Sequence, residues 1–116
     1  MDLVDMDGDG LKDIITGKRF WAHGKGGPDP ESDGAPSVLY WFKLNRPKNG
    51  EPQYVPYLVD SDSGVGTQVL AARVTNKKYP DIIVGNKKGV FIFKHKVTSV
   101  SRQQWEQSQP KPLAAK

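Results

Sequence analysis

A cluster of alternating aspartates near the N-terminus constrains this chain more than any other feature. Four carboxylates occupy positions 1, 3, 5 and 9 of a nine-residue loop, those of Asp5, Asp7, Asp9 and Asp13. Carboxylates this close together repel one another unless the backbone curls around a cation, and Gly8 and Gly10 permit that curl because glycine reaches positive φ without steric cost. Calcium takes six to eight oxygen ligands at about 2.3–2.6 Å, which suits this loop better than magnesium or zinc does. The loop therefore predicts a calcium site, and the alternative is a solvated acidic turn without metal.

An EF-hand is the obvious rival, because its loop begins in the same way. That loop needs a bidentate Glu at position 12 and a helix on each side. Counting from Asp5, position 12 is Thr16, which has no carboxylate. Residues 14–17 are three β-branched residues and a glycine, which predicts a short buried strand. The same count argues against a dockerin, so we expect the loop to join two strands, with Asp13 at the start of the second.

Composition favours one small domain, or part of a larger one, made of short strands and turns. Of the 116 residues 36% are apolar, and 12 are glycine and 9 proline. The absence of cysteine excludes disulfides and thiolate metal sites. No segment approaches the roughly 20 apolar residues of a membrane span, and the N-terminus lacks the features of a signal peptide. The net charge of +4 is modest, and lysine pairs at 77–78 and 87–88 fit solvated turns better than a nucleic-acid surface.

A weak internal repeat divides the chain. Residues 13–19 match residues 81–87, and both copies begin with Asp-Ile-Ile. Repeats longer than about 40 residues in an all-β sequence indicate propeller blades or related arrays. Strand patterns are predicted at residues 38–44, 53–59, 67–74, 81–84 and 89–94. A one-turn helix is predicted at residues 101–107, with a capping box formed by Ser101 and Gln104.

These signals suggest three segments. Residues 1–66 form a first unit with the aspartate loop and a long glycine- and proline-rich insertion at residues 22–36. Residues 67–98 form a second, degenerate unit. Residues 99–116 form a polar tail, a short helix followed by a disordered end.

The loop and the repeat resemble the FG-GAP or VCBS repeat family, whose members fold as β-propellers. The resemblance rests on the DxDxDGxxD pattern of residues 5–13, the strand pattern that follows it and the degenerate copy that ends at Gly85. It implies an all-β fold of antiparallel propeller blades, of which this chain holds about two. The chain is therefore expected to be an incomplete propeller, similar to the C-terminal propeller portion of large secreted bacterial proteins. Such a parent is extracellular or periplasmic, and the partners would be further blades of a longer chain or other copies of this one.

The resemblance also implies a ligand set for one calcium ion. The implied ligands are the side chains of Asp5, Asp7, Asp9 and Asp13 and the backbone carbonyl of Leu11. The second copy retains only Asp81 of the carboxylates, and Arg73, Thr75 and Lys77 stand at the spacings of the first three ligands. A cation would be repelled there, so we expect no metal at the second copy.

Two further segments, residues 18–23 and 59–66, are candidates for ligand binding. Their candidate residues are Lys18, Arg19, Trp21, His23, Asp60 and Asp62. The cations and aromatics of the first segment could contact a sugar or an anion, or they could pack between units and face solvent. The second segment could be another cation site or a ligand-binding rim, or a strand connection capped by Asx and Ser turns.

The sequence contains no nucleophile elbow and no paired-histidine motif. It therefore predicts a non-catalytic module that recognises a protein or carbohydrate, in which calcium is structural. One alternative is part of a polysaccharide-acting enzyme whose pocket contains the candidate residues. Another is a fragment without a function of its own. The enzyme hypothesis requires those side chains to converge in the fold.

Overall fold

A computed structural model describes residues 1–19 and 36–110 of the chain. Within these residues the fold is mostly antiparallel β, as predicted, with one short helix. The elements in chain order are β1 (Asp2–Val4), β2 (Asp13–Gly17), β3 (Leu39–Asn45), β4 (Gln53–Asp60), β5 (Val69–Ala72), β6 (Asp81–Asn86), β7 (Gly89–Phe93) and α1 (Arg102–Ser108).

The strands form two antiparallel sheets. The first sheet has the order β1-β2-β3-β4 and the second has the order β5-β6-β7. The register of β3 against β4 shifts between Leu39 and Tyr40. Within each sheet the strand order follows the chain order, so that strands adjacent in the chain are also paired. The aspartate loop connects β1 to β2 at one end of the first sheet.

One strand is shorter than its sequence pattern predicts. The pattern covers residues 67–74, whereas β5 contains only Val69–Ala72. Beyond Ala72 the backbone N–H groups of Val74 and Thr75 donate to Oδ2 of Asp81 at 3.2 and 2.6 Å. A side chain thus takes the donors that could have continued the ladder.

The hydrophobic core lies between the two sheets. Ile15 and Leu39 contribute from the first sheet, and Val69, Ile82 and Val84 contribute from the second. Met6 in the aspartate loop and Val65 in the connection between the sheets complete the buried cluster. A polar contact also joins the sheets, because the N–H of Ala71 donates to Oδ2 of Asp2 at 2.8 Å.

A close backbone approach at the end of β2 requires glycine. A Cβ atom added to Gly17 would lie 1.9 Å from the carbonyl oxygen of Val38. The same segment is fastened on both sides, since Lys18 N–H donates to Val38 O at 2.9 Å and Val65 N–H donates to Lys18 O at 3.0 Å.

The predicted helix near the C-terminus is present. Ser101 is its N-cap, and its side chain and that of Gln104 form the predicted capping box. Beyond the helix, Gln109 accepts a hydrogen bond from the hydroxyl of Tyr57 at 2.5 Å, which attaches the tail to β4. No helix in the described part of the chain is long and apolar enough to cross a membrane. The predicted insertion, apart from Pro36, and the predicted disordered end beyond Pro110 lie outside the described residues.

Candidate metal centre

Asp5 organises the aspartate loop. Its Oδ1 accepts hydrogen bonds from the N–H groups of Gly8 at 2.7 Å and Asp9 at 3.2 Å, and its Oδ2 accepts from Gly10 at 2.8 Å. Both glycines have positive φ, +81° for Gly8 and +87° for Gly10, as the sequence predicted for a tight curl. The side chain at the first position of the loop therefore holds the loop backbone in a tight curl.

Three carboxylates of the loop converge. Asp5, Asp7 and Asp13 each place one oxygen within 4.8 Å of the others, and no other group of this kind occurs among residues 1–19 and 36–110. The donor set consists of hard oxygen atoms, which suits calcium, magnesium or manganese better than a thiophilic metal. Each oxygen that accepts one N–H keeps a second lone pair. The residues therefore fit a hard divalent cation.

Asp13 is fully buried, with 0% of its surface exposed. Its Oδ2 accepts from Met6 N–H at 3.2 Å and from Trp41 Nε1 at 2.9 Å, and its Oδ1 accepts from Leu44 N–H at 2.8 Å. The carboxylate thereby connects the aspartate loop to the end of β3. A buried charge without such donors would be costly, so these three bonds explain how Asp13 is accommodated.

Lys43 already provides a positive charge at the loop. Its ammonium group contacts Oδ2 of Asp7 and lies 2.8 Å from Oδ2 of Asp9. Ile14 of β2 pairs with Phe42 of β3. The next residue of β3, Lys43, therefore lies across from Asp13 and close to the loop. Partial burial favours the neutral amine, but hydrogen bonds to both carboxylates outweigh it and raise the pKa of Lys43. The same hydrogen bond is the main reason that the pKa of Asp9 is lowered.

The remaining two predicted ligands are placed differently. The carboxylate of Asp9 does not belong to the converging group; its Oδ1 accepts from Leu11 N–H at 2.8 Å, and its Oδ2 faces Lys43. Leu11 lies in the same loop, and the role of its carbonyl as a ligand stays a prediction. Ligation by Asp9 requires the ammonium group to move away.

Asp81, the counterpart of Asp13 in the second copy, makes an equivalent set of contacts. It is fully buried, and it accepts backbone hydrogen bonds from Val74, Thr75 and His95. The Thr75 hydroxyl adds a further contact at 2.9 Å. These bonds, foremost those of the Thr75 and His95 N–H groups, lower the pKa of Asp81 to about 2. The carboxylate of the repeat thus fastens a loop to a strand end in both sheets.

The other predicted binding residues that the structure describes, Lys18, Arg19, Asp60 and Asp62, do not form one site. Arg19 lines a cavity of about 250 Å³ together with residues 65–67 and 85–87. Asp60 accepts the N–H of Asp62 at 2.9 Å, which is the main cause of its lowered pKa, and Asp62 pairs with the ammonium group of Lys88. These contacts are those of a capped turn. The side chains of Asp60 and Asp62 are not part of the cavity lining, Lys18 is exposed, and Trp21 and His23 lie outside the described residues.

The sequence interpretation missed Lys43 and Trp41 as partners of the aspartate loop. A signal for both exists, because residues directly opposite each other in an antiparallel pair share one face of the sheet. Once the register of β2 and β3 is known, Trp41 stands opposite Ile15, two residues before Lys43. The register itself depends on the length of the connection between the strands, which the sequence pattern does not determine.

Comparisons of the chain with protein-family models, with curated proteins and with solved structures find no match.

Proposed function

We propose that this chain is a calcium-stabilised, non-catalytic β-sheet module that recognises a protein or a carbohydrate. The observation that carries the proposal is the convergence of Asp5, Asp7 and Asp13 within 4.8 Å in a loop that joins two strands. The order of ligands along the loop, followed at once by a buried strand, supports FG-GAP or VCBS-like propeller blades as its architecture. We place the parent protein outside the cytosol, in an extracellular or periplasmic setting.

Calcium would be held by the three converging carboxylates, with Asp9 and the carbonyl of Leu11 completing the set after Lys43 moves away. When bound, the ion neutralises the carboxylates and fixes the turn between β1 and β2. Asp13 supports this structural role, because its carboxylate is fully buried and already connects the loop to β3. Extracellular modules bind calcium with Kd values of about 10⁻⁴–10⁻³ M, and extracellular calcium fills sites of that strength.

The recognition surface that we propose is the cavity lined by Arg19. Its wall also contains Thr67 and Lys87, which add a hydroxyl group and a second positive charge to an otherwise largely apolar space of about 250 Å³. This chemistry suits the hydroxyl and carboxylate groups of a sugar, or an acidic side chain of a protein.

Thermal unfolding with and without calcium tests the structural role of the ion. Binding to the folded state alone stabilises by about 2.7 kcal/mol when free calcium is a hundredfold above Kd. We therefore expect the melting temperature to rise with calcium and to fall again on addition of EDTA. The shift should vanish in Asp7→Ala, which removes a ligand oxygen, and persist in Asp62→Ala, whose carboxylate lies outside the loop. An unchanged melting temperature in the wild-type protein would refute the proposal.

Affinity electrophoresis in gels that contain hyaluronate, an acidic polysaccharide, or dextran, a neutral one, tests the recognition surface. We expect hyaluronate to retard the protein and Arg19→Gln to reduce that retardation. Lys48→Gln removes the same charge outside the cavity and is the matched control. Equal loss in both variants would mean that net charge alone is responsible.

A further inference from the structure

Each sheet has one face in the core and one face turned away from it. In the first sheet Asp2, Ile15 and Trp41 stand opposite one another on the core face. One step along the strands, Leu3, Ile14, Phe42 and Pro56 form a row on the other face, which we call outer face 1. Tyr40 and Leu58 form the next row of that face. Outer face 1 is apolar, with Leu3 51% and Leu58 54% exposed among the described residues, and Ser108 and Pro110 of the tail line a cavity beside Tyr40, Pro56 and Leu58.

The second sheet is built in the same way. Ala71, Ile82 and Phe93 form a row on its core face. Leu70, Ile83 and Ile92 form the row on the opposite face, which we call outer face 2. Leu70 is 53% and Ile92 51% exposed, so this face is also apolar and open.

The repeat shows that the two sheets use opposite faces to meet. Asp13 corresponds to Asp81, because each carboxylate accepts from the N–H seven residues earlier and from the N–H two residues after the strand partner of the next isoleucine. It follows that Ile14 corresponds to Ile82 and that Ile15 corresponds to Ile83. The first sheet buries Ile15, whereas the second buries Ile82. The contact between the sheets is therefore head to tail.

A head-to-tail contact between two similar units leaves both ends able to repeat it. Outer face 1, with its row of Leu3, Ile14 and Phe42, corresponds position by position to the core face of the second sheet, with Ala71, Ile82 and Phe93. Outer face 2 corresponds in the same way to the core face of the first sheet. Each of the two faces that form the core inside the chain thus has a counterpart whose large apolar side chains are about half exposed in the described part of the chain.

We propose that outer face 1 of one molecule packs on outer face 2 of a second copy of this chain, repeating the contact between its own two sheets. The occupant follows from continuity with the internal interface, since the chain itself supplies both complementary surfaces. The hydrogen bond between Ala71 and Asp2 of the internal interface is not needed there. Leu70 stands in the place of Asp2, and the N–H of Leu3 is already bonded to Oδ1 of Asp2 at 2.8 Å.

Sedimentation velocity of the full chain over a range of concentrations, in calcium-containing buffer throughout, tests this inference. We expect concentration-dependent association of the wild-type protein. Leu3→Glu on outer face 1 and Ile92→Glu on outer face 2 should each weaken association at least about tenfold, because each buries an unpaired carboxylate in the contact. Val97→Glu, at an exposed apolar residue outside both faces, is the control and should associate like the wild type.

Mixing the two variants separates a head-to-tail contact from a symmetric one. Leu3→Glu retains outer face 2 and Ile92→Glu retains outer face 1, so an equimolar mixture should form a one-to-one dimer that neither variant forms alone. Circular dichroism verifies that both variants are folded. A wild-type protein that stays monomeric at all concentrations would overturn the inference, as would a single variant that still dimerises by itself.

Discussion

The ammonium group of Lys43 lies 2.8 Å from Oδ2 of Asp9 and also contacts Asp7. A lysine in β3 thus neutralises part of the negative charge of the loop that joins β1 to β2. Any metal that enters the loop competes with this charge. Lys43 therefore connects the stability of the metal-free loop to its affinity for a cation.

Replacement of Lys43 by methionine should raise calcium affinity by about tenfold or more, because no ammonium group then has to be displaced. The same change should lower the stability of the metal-free protein, since the carboxylates lose their counter-charge. Calorimetric titration gives the affinity, and urea unfolding in EDTA gives the stability. Lys12→Met removes an exposed cation from the same loop and should change both quantities far less. Equal or weaker calcium binding by Lys43→Met would contradict the competition.

Gly17 and Gly85 occupy matching positions in the two copies but differ in their surroundings. Gly17→Ala should destabilise the fold by at least about 2 kcal/mol, because the new Cβ would lie 1.9 Å from the carbonyl oxygen of Val38. Gly85→Ala meets no atom within 4 Å and should change the free energy of unfolding by no more than about 0.5 kcal/mol. Urea unfolding of the two variants measures the difference. Similar values for both would show that the close approach at Gly17 is relieved without cost.

The lowered pKa of Asp81 predicts a specific loss of stability in acid. Its pKa is about 2 in the folded state, against an ordinary value of 3.8. A lowered folded-state pKa stabilises the fold above the unfolded value, and that stabilisation is lost as the pH falls toward the folded value. We expect the wild-type free energy of unfolding to fall between about pH 4 and pH 2.

Asp81→Asn should be less stable at neutral pH, because its amide group must face backbone donors, and its stability should fall less over that acid range. Urea unfolding at a series of pH values gives both slopes. Glu51→Gln, at an exposed carboxylate, should retain the wild-type slope. An Asp81→Asn variant with an undiminished acid slope would show that other groups cause the loss.

The local elements of this fold could be predicted from sequence, whereas the contacts between them could not. The run from Asp13 to Gly17 and the capping box of Ser101 are encoded within a few residues, and both are present. The end of β5 depends on the Asp81 side chain, which takes the N–H groups of Val74 and Thr75 six to seven residues earlier, and the strand pattern, which does not register such a contact, extended that strand too far. Lys43 and the head-to-tail contact of the sheets depend on strand register, which becomes visible only in the assembled sheets.

Calcium binding by the aspartate loop is the central claim, and calorimetric titration of chelator-treated protein tests it most directly. We predict one calcium ion per chain and loss of that binding in Asp7→Ala, which removes the ligand oxygen. Asp7 is the informative position, because its carboxylate converges with those of Asp5 and Asp13 and, apart from Lys43, its described contact within the loop is one long hydrogen bond from Asp9 N–H at 3.4 Å. Asp62→Ala should bind like the wild type. Absence of heat in the wild-type titration, or an equivalent of calcium that survives Asp7→Ala, would contradict the account.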